Sequence, residues 1–93
     1  MAGERLVFRV HALQRMAERG ISEPEVRHVL DVGEVIEEYP GDYPFPSRLV
    51  LGRRGERTLH VVVAEDHSGC TKIVITVYEP EAAKWQPGFR KRK

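Results

Sequence analysis

Arg48, His60, Thr76 and Tyr78 are a cation, an imidazole, a hydroxyl and a phenol. Together these groups are the types that cut RNA without a metal. In that chemistry a base takes the 2′-OH proton, and the freed oxygen attacks the neighbouring phosphorus. An acid protonates the leaving 5′ oxygen, and a cation steadies the phosphoryl charge. Histidine titrates near neutral pH and serves in either proton-transfer role. Arginine stays charged and grips phosphate through a planar fork. The four meet only if the strands that carry them pair in one register, with His60 opposite Thr76 and flanked by Arg48, and Tyr78 in the next row. Cross-strand pairing on a half-exposed sheet accounts for the same residues with no chemistry at all.

A second basic group lies near the start of the chain. His11, Arg15 and Arg19 recur every four residues, which aligns them along one side of a helix. They can line a phosphate path, and His11 can supply a second acid or base. A solvated helix face with an arginine paired to Glu18 is the competing reading. His67-x-x-Cys70 has the spacing of a metal-ligand pair, but no second pair follows it and His28 has no ligand one turn on. Turn residues are therefore expected there, with no bound metal and no cofactor. Trp85-Gln-Pro-Gly-Phe89-Arg-Lys-Arg-Lys93 mixes aromatics with positive charge. It reads as a Trp85 that seals the core, followed by a basic tail over 87–93, or as a strip for stacking on bases and touching phosphate.

The elements behind these residues follow from periodicity. Val10, Leu13, Met16 and Ala17 share one helical face, and Gly20 ends that helix. Ser22-Glu-Pro-Glu25 is a capping box that opens a second helix, which carries Val26, Val29 and Leu30 inward and stops at Gly33. So short a link implies a helical hairpin. The period then changes to two, with strands expected at Glu34–Tyr39, Ser47–Gly52, Arg57–Glu65 and Thr71–Glu79. Pro40-Gly-Asp-Tyr-Pro-Phe-Pro46 is a stiff loop between the first two. Three-residue turns closed by Gly69 and Gly55 would pair Leu59 with Val77, Val61 with Ile75 and Leu49 with Leu59. The expected fold is thus α+β, an N-terminal helical hairpin packed on a four-stranded antiparallel sheet.

Ninety-three residues make a single domain, 1–93, with its core over about 6–86. Charged residues are 31% and hydrophobic ones 41%, the balance of a folded globule rather than a disordered chain. A lone Cys70 forms no internal disulfide, and neither a signal peptide nor an apolar run long enough to span a membrane is evident. The expected location is the cytoplasm. The net charge of +1 conceals segregation, with Glu34, Glu37, Glu38 and Asp42 in one segment and Arg48, Arg53, Arg54 and Arg57 in the next. That polarity suits an anionic ligand at one edge.

The ordered motifs His11-x-x-x-Arg15, Arg19-Gly20-Ile21, Leu59-His60-Val61-Val62 and Ile75-Thr76-Val77-Tyr78-x-Pro80 resemble a small bacterial family, domain of unknown function 4258. The resemblance runs from about Phe8 to Trp85. That family looks like a relative of RelE-type toxins, and its own members tend to be paired with an antitoxin carrying a zinc-finger motif. The resemblance implies RNA cleavage, at the ribosome or on free mRNA, silenced by the partner. The positions matching the pattern are His11, Arg15, Arg19, His60, Thr76 and Tyr78. Two other readings stay open. One is a non-catalytic domain that binds RNA or protein through the Arg-rich hairpin and tail. The other is a scaffold held by an obligate partner or as a dimer, because Val50, Val62 and Val74 make the second sheet face apolar.

Overall fold

Ser22 and Gly20 set the helix boundaries as their chemistry requires. In the computed structural model, which describes residues 5–66 and 68–93, Gly20 takes φ 64° and caps the first helix, α1, Val10–Arg19. The Ser22 hydroxyl accepts from the Glu25 amide at 3.2 Å, and the Glu25 carboxylate accepts from the Ser22 amide at 2.9 Å. This reciprocal cap opens α2, Glu23–Val32. Before the helices lies β1, Arg5–Phe8, and after them come β2, Glu34–Tyr39, β3, Ser47–Arg54, β4, Arg57–Glu65, and β5, Thr71–Tyr78.

The sheet is mixed and five-stranded, in the order β1-β5-β4-β3-β2, with β1 parallel to β5 and every other pair antiparallel. This corrects the expected four-stranded antiparallel sheet. Arg5-Leu-Val-Phe8 alternates outward and half-buried side chains over only four residues, too few to stand out as a strand before pairing is known. The N-terminal helical hairpin is not found either. A strand precedes the helices, and they lie apart on the sheet, α1 over β5 and α2 over β3 and β4.

Helix α1 is also rotated from its expected orientation. Ala12 and Met16 are buried, whereas Val10 is 70% and Leu13 49% exposed. Its start is tied down, because the Arg9 amide donates to the Val74 carbonyl at 3.0 Å, and the small Ala12 lets the helix sit close to β5. The core between helices and sheet contains Ala12, Met16, Ile21, Val26, Val29, Val50, Leu59, Val61, Val63, Val74 and Val77.

Register differs from expectation at both hairpins. Strands β3 and β4 continue to Arg54 opposite Arg57, leaving a two-residue Gly55–Glu56 turn with Gly55 at φ 62°. One residue fewer in the loop reverses the parity of pairing. Val50 therefore faces the helices, while Leu49 and Leu51 face away. Gly52, expected as the last residue of its strand, instead lies within it beneath α2, where a Cβ would stand 2.7 Å from Val29 Cγ1. The second hairpin closes at Asp66 and Thr71, whose carbonyl accepts from the Asp66 amide at 3.1 Å. His67, expected in a turn, lies outside the described residues. A bulge between Val62 and Val63 then sets Val61 opposite Val77, Val62 opposite Thr76 and His60 opposite Tyr78.

Candidate active site

The second sheet face carries Leu49, Leu51, His60, Val62, Thr76 and Tyr78, and it is covered rather than open. The segment after β5 folds back across it. Trp85 forms a bridge with Arg92, the Gln86 amide donates to the Lys91 carbonyl at 2.8 Å, and Gly88 and Phe89 turn the chain at φ 89° and 61°. The basic tail is therefore one arm of a C-terminal hairpin. Trp85 is 3% exposed and meets the His60 ring edge-on, with centroids 4.4 Å apart. Two acidic residues of β2 hold the other arm. Arg92 forks onto Glu37 at 3.0 and 3.1 Å while lying 4.6 Å over the Trp85 ring, and Arg90 reaches Glu34 at 2.8 Å. Two acidic residues of β2 and the basic tail thus pair across this face.

His60 has no exposed surface. Its Nδ1 is 3.2 Å from the Tyr78 hydroxyl and its Nε2 2.9 Å from the Phe89 carbonyl. Burial holds its pKa below the ordinary value, as does the Arg92 charge, while the Phe89 carbonyl and Glu37 pull it upward. Burial likewise raises the Tyr78 phenol. The Arg92 guanidinium, ahead of the Tyr39 hydroxyl, keeps the Glu37 carboxyl below its usual value. Tyr39, desolvated and bonded to Glu37, is pushed up to about 12.

Tyr78 marks the boundary between this buried pair and solvent. Strand β1 covers β5 only as far as Val74, so the edge of β5 beyond it has no strand partner among the described residues. There a cleft of about 240 Å³ opens, lined by Arg15 and Arg19 of α1, Tyr78 and Glu79, and Glu81, Lys84, Trp85 and Arg92 of the C-terminal segment. Cations line it from α1 and from the C-terminal segment, where Lys84 pairs with Glu81 at 3.5 Å. Arg15 pairs with Glu18 at 3.7 Å, and its Nε is buried with no hydrogen-bond partner among the described residues. Arg57 secures the end of α1, donating to the Arg19 and Gly20 carbonyls at 2.9 and 3.1 Å and to Glu25 at 3.1 Å.

The sequence-predicted residues are thus partly brought together. Arg15, Arg19 and Tyr78 share the cleft, with His60 directly behind Tyr78. Thr76 is half-buried on the same face as His60 but opposite Val62, one row from the expected place. Arg48 is on the opposite face of the sheet, across from Val63 and ion-paired to Glu65, so it does not flank His60. His11 is exposed one turn before Arg15 and does not line the cleft. No group of histidine, cysteine and acidic residues suited to a metal occurs among the described residues, and Cys70 is exposed. Sequence reasoning missed Glu37, Lys84 and Arg92. The available signal was Pro87-Gly88, a turn dipeptide between Trp85 and a basic run opposite an acidic strand.

Fold and site together define an α+β domain with a mixed sheet, a C-terminal hairpin on one face and a cation-walled cleft at the open strand edge. The chain belongs to the family described as a domain of unknown function, DUF4258, whose model matches residues 8–79. The match includes Arg15, Arg19, His60, Thr76 and Tyr78, and it ends before Lys84, Trp85, Phe89 and Arg92. Neither a curated protein nor a solved structure matches the chain. No helix of the described residues is long and apolar enough to cross a membrane.

Proposed function

We propose that this domain is a metal-independent endoribonuclease of the RelE type, the toxin of a bacterial toxin–antitoxin pair, acting on RNA in the cytoplasm. The observation that supports this is the cleft itself, which sets cations around a phenol bonded to a buried imidazole. A phosphodiester entering it meets Arg15, Arg19 and Lys84 as charge partners. Tyr78 is the group within reach of a ribose 2′-OH, and His60 acts from behind it. Attack by the 2′-OH needs a base and a stabilised phosphoryl group, both of which these side chains supply. A net charge of +1 favours free RNA over the ribosome surface as the target. A zinc-finger antitoxin remains the proposed partner, silencing the enzyme in the cell.

The test is incubation of the purified chain with end-labelled single-stranded RNA in EDTA. Fragments ending in 2′,3′-cyclic phosphate are expected, at a rate unchanged by the chelator. Retention of RNA without cutting would replace the enzyme by a binding domain. Growth arrest on expression, relieved by the neighbouring open reading frame, tests the toxin assignment separately.

A further inference from the structure

A carbonyl oxygen only accepts hydrogen bonds, so the 2.9 Å contact between His60 Nε2 and the Phe89 carbonyl places a proton on Nε2. The ring is neutral at neutral pH, because burial lowers its pKa. Nδ1 then has no proton, and the donor in its 3.2 Å contact is the Tyr78 hydroxyl. The phenol gives its hydrogen inward and leaves its oxygen lone pairs to the cleft. The groups that face this pair are Glu37 and Arg92, which oppose each other in their effect on His60.

The Phe89 carbonyl reaches the ring at a conformational cost. Phe89 stands at φ 61°, a left-handed backbone that bulky residues rarely adopt, directly after Gly88 at φ 89°. Strain of this kind persists where surrounding contacts over-determine it. Here the Arg92 fork on Glu37, the Arg90 contact with Glu34 and the buried Trp85 do so.

Resting on the reading of the cleft as an RNA-cleaving site, we infer that the C-terminal hairpin is part of the reacting centre. Through the Phe89 carbonyl it locks His60 in the tautomer that draws the Tyr78 proton, which makes Tyr78 a relay. The 2′-OH passes its proton to the Tyr78 oxygen as Tyr78 passes its own to His60 Nδ1. The 2′ oxygen bonds to phosphorus, the bond from phosphorus to the 5′ oxygen breaks, and that oxygen takes a proton from water. The imidazolium, held beside Glu37, returns its proton through Tyr78 to the hydroxide that remains. Tyr78 is the group that touches RNA, and Phe89 is a positioning residue acting through its main chain.

The test uses the full chain labelled with ¹⁵N-histidine. Ring nitrogen shifts of His60 should show a protonated Nε2 and a bare Nδ1, persisting below the ordinary histidine value of about 6.5. Gly88→Val, a β-branched residue at φ 89°, displaces the carbonyl. Its His60 should average over both tautomers and, without the carbonyl that pulls its pKa upward, titrate lower still, and the acid limb of the cleavage profile should move down with it. The rate near neutral pH should fall at least about tenfold, and His60→Gln, which can hydrogen-bond but takes no proton, should cleave still more slowly. A wild-type His60 protonated on Nδ1 would overturn the lock. So would a folded Gly88→Val protein with wild-type shifts and an unchanged pH profile. The expected tautomer in a wild-type chain that cuts no RNA removes the relay together with the proposed function, and leaves the lock as a structural feature only.

Discussion

Replacing Arg57 with alanine tests how the fold supports the cleft. This guanidinium joins three elements, donating to the Arg19 carbonyl at 2.9 Å, the Gly20 carbonyl at 3.1 Å and the Glu25 carboxylate at 3.1 Å, with Glu79 at 3.4 Å. Its side chain is 27% exposed and that of Glu25 18%, so water replaces the lost partners only in part. Hydrogen bonds to charged groups contribute about 1.5–3 kcal/mol each when well formed. Because the set shares one side chain and the carbonyls are accessible, a total of about 2–3 kcal/mol is expected. For a domain of this size each kcal/mol lowers Tm by about 4–8 °C. Urea unfolding followed by circular dichroism should show a lower midpoint with an unchanged slope. The loss should also depend on pH. The backbone amide of Ser22, and then Arg57, hold the folded Glu25 carboxyl below its ordinary value. The stability this contributes is present above the unfolded value of about 4.3 and disappears as pH falls through the folded value. Wild type and variant should therefore converge in acid and differ most near neutrality. A difference under about 0.5 kcal/mol at pH 7, or one that grows in acid, would refute this account of the anchor.

Gly52→Ala should destabilise the fold by about 1–3 kcal/mol, because its Cβ would stand 2.7 Å from the Val29 side chain; thermal unfolding measures this. Trp85→Ala should cost about 3–5 kcal/mol by removing a buried ring from the second face, and near-UV circular dichroism should report the lost packing. Arg15→Ala and Arg19→Ala should each weaken RNA binding in low salt and lower the salt slope by roughly one phosphate contact, with fold stability almost unchanged, as filter binding across a salt series would show.

The helix boundaries could be read directly from the chain, because Gly20, Ser22, Glu25 and Gly33 are local signals whose partners lie within a few residues. The strand register could not. Leu49, Val50 and Leu51 are all buried, since helices cover one sheet face and the C-terminal hairpin the other, so hydrophobicity did not say which residues face which way. Gly52 read as the end of a strand but serves close packing under Val29 inside it. The turn closing at Asp66 and Thr71 and the bulge between Val62 and Val63 each shifted the register by one residue and together moved Thr76 one row from His60, and one residue fewer in the Gly55–Glu56 loop sent Arg48 to the opposite face. Arg15, Arg19, His60 and Tyr78 were still legible as chemistry-bearing types. Their meeting depends on β1 stopping at Val74, a long-range pairing that no local pattern announces.

The most direct test of the central claim is the single-turnover cleavage rate of Tyr78→Phe against wild type, on one single-stranded RNA in EDTA at neutral pH. The phenyl ring keeps the packing beside His60, where the ring centroids are 5.2 Å apart, and removes only the oxygen between imidazole and cleft. Loss of that proton transfer should slow cleavage by about 10²–10⁴-fold while RNA affinity stays within a factor of about three. A Tyr78→Phe protein that folds and cuts at the wild-type rate would contradict the account.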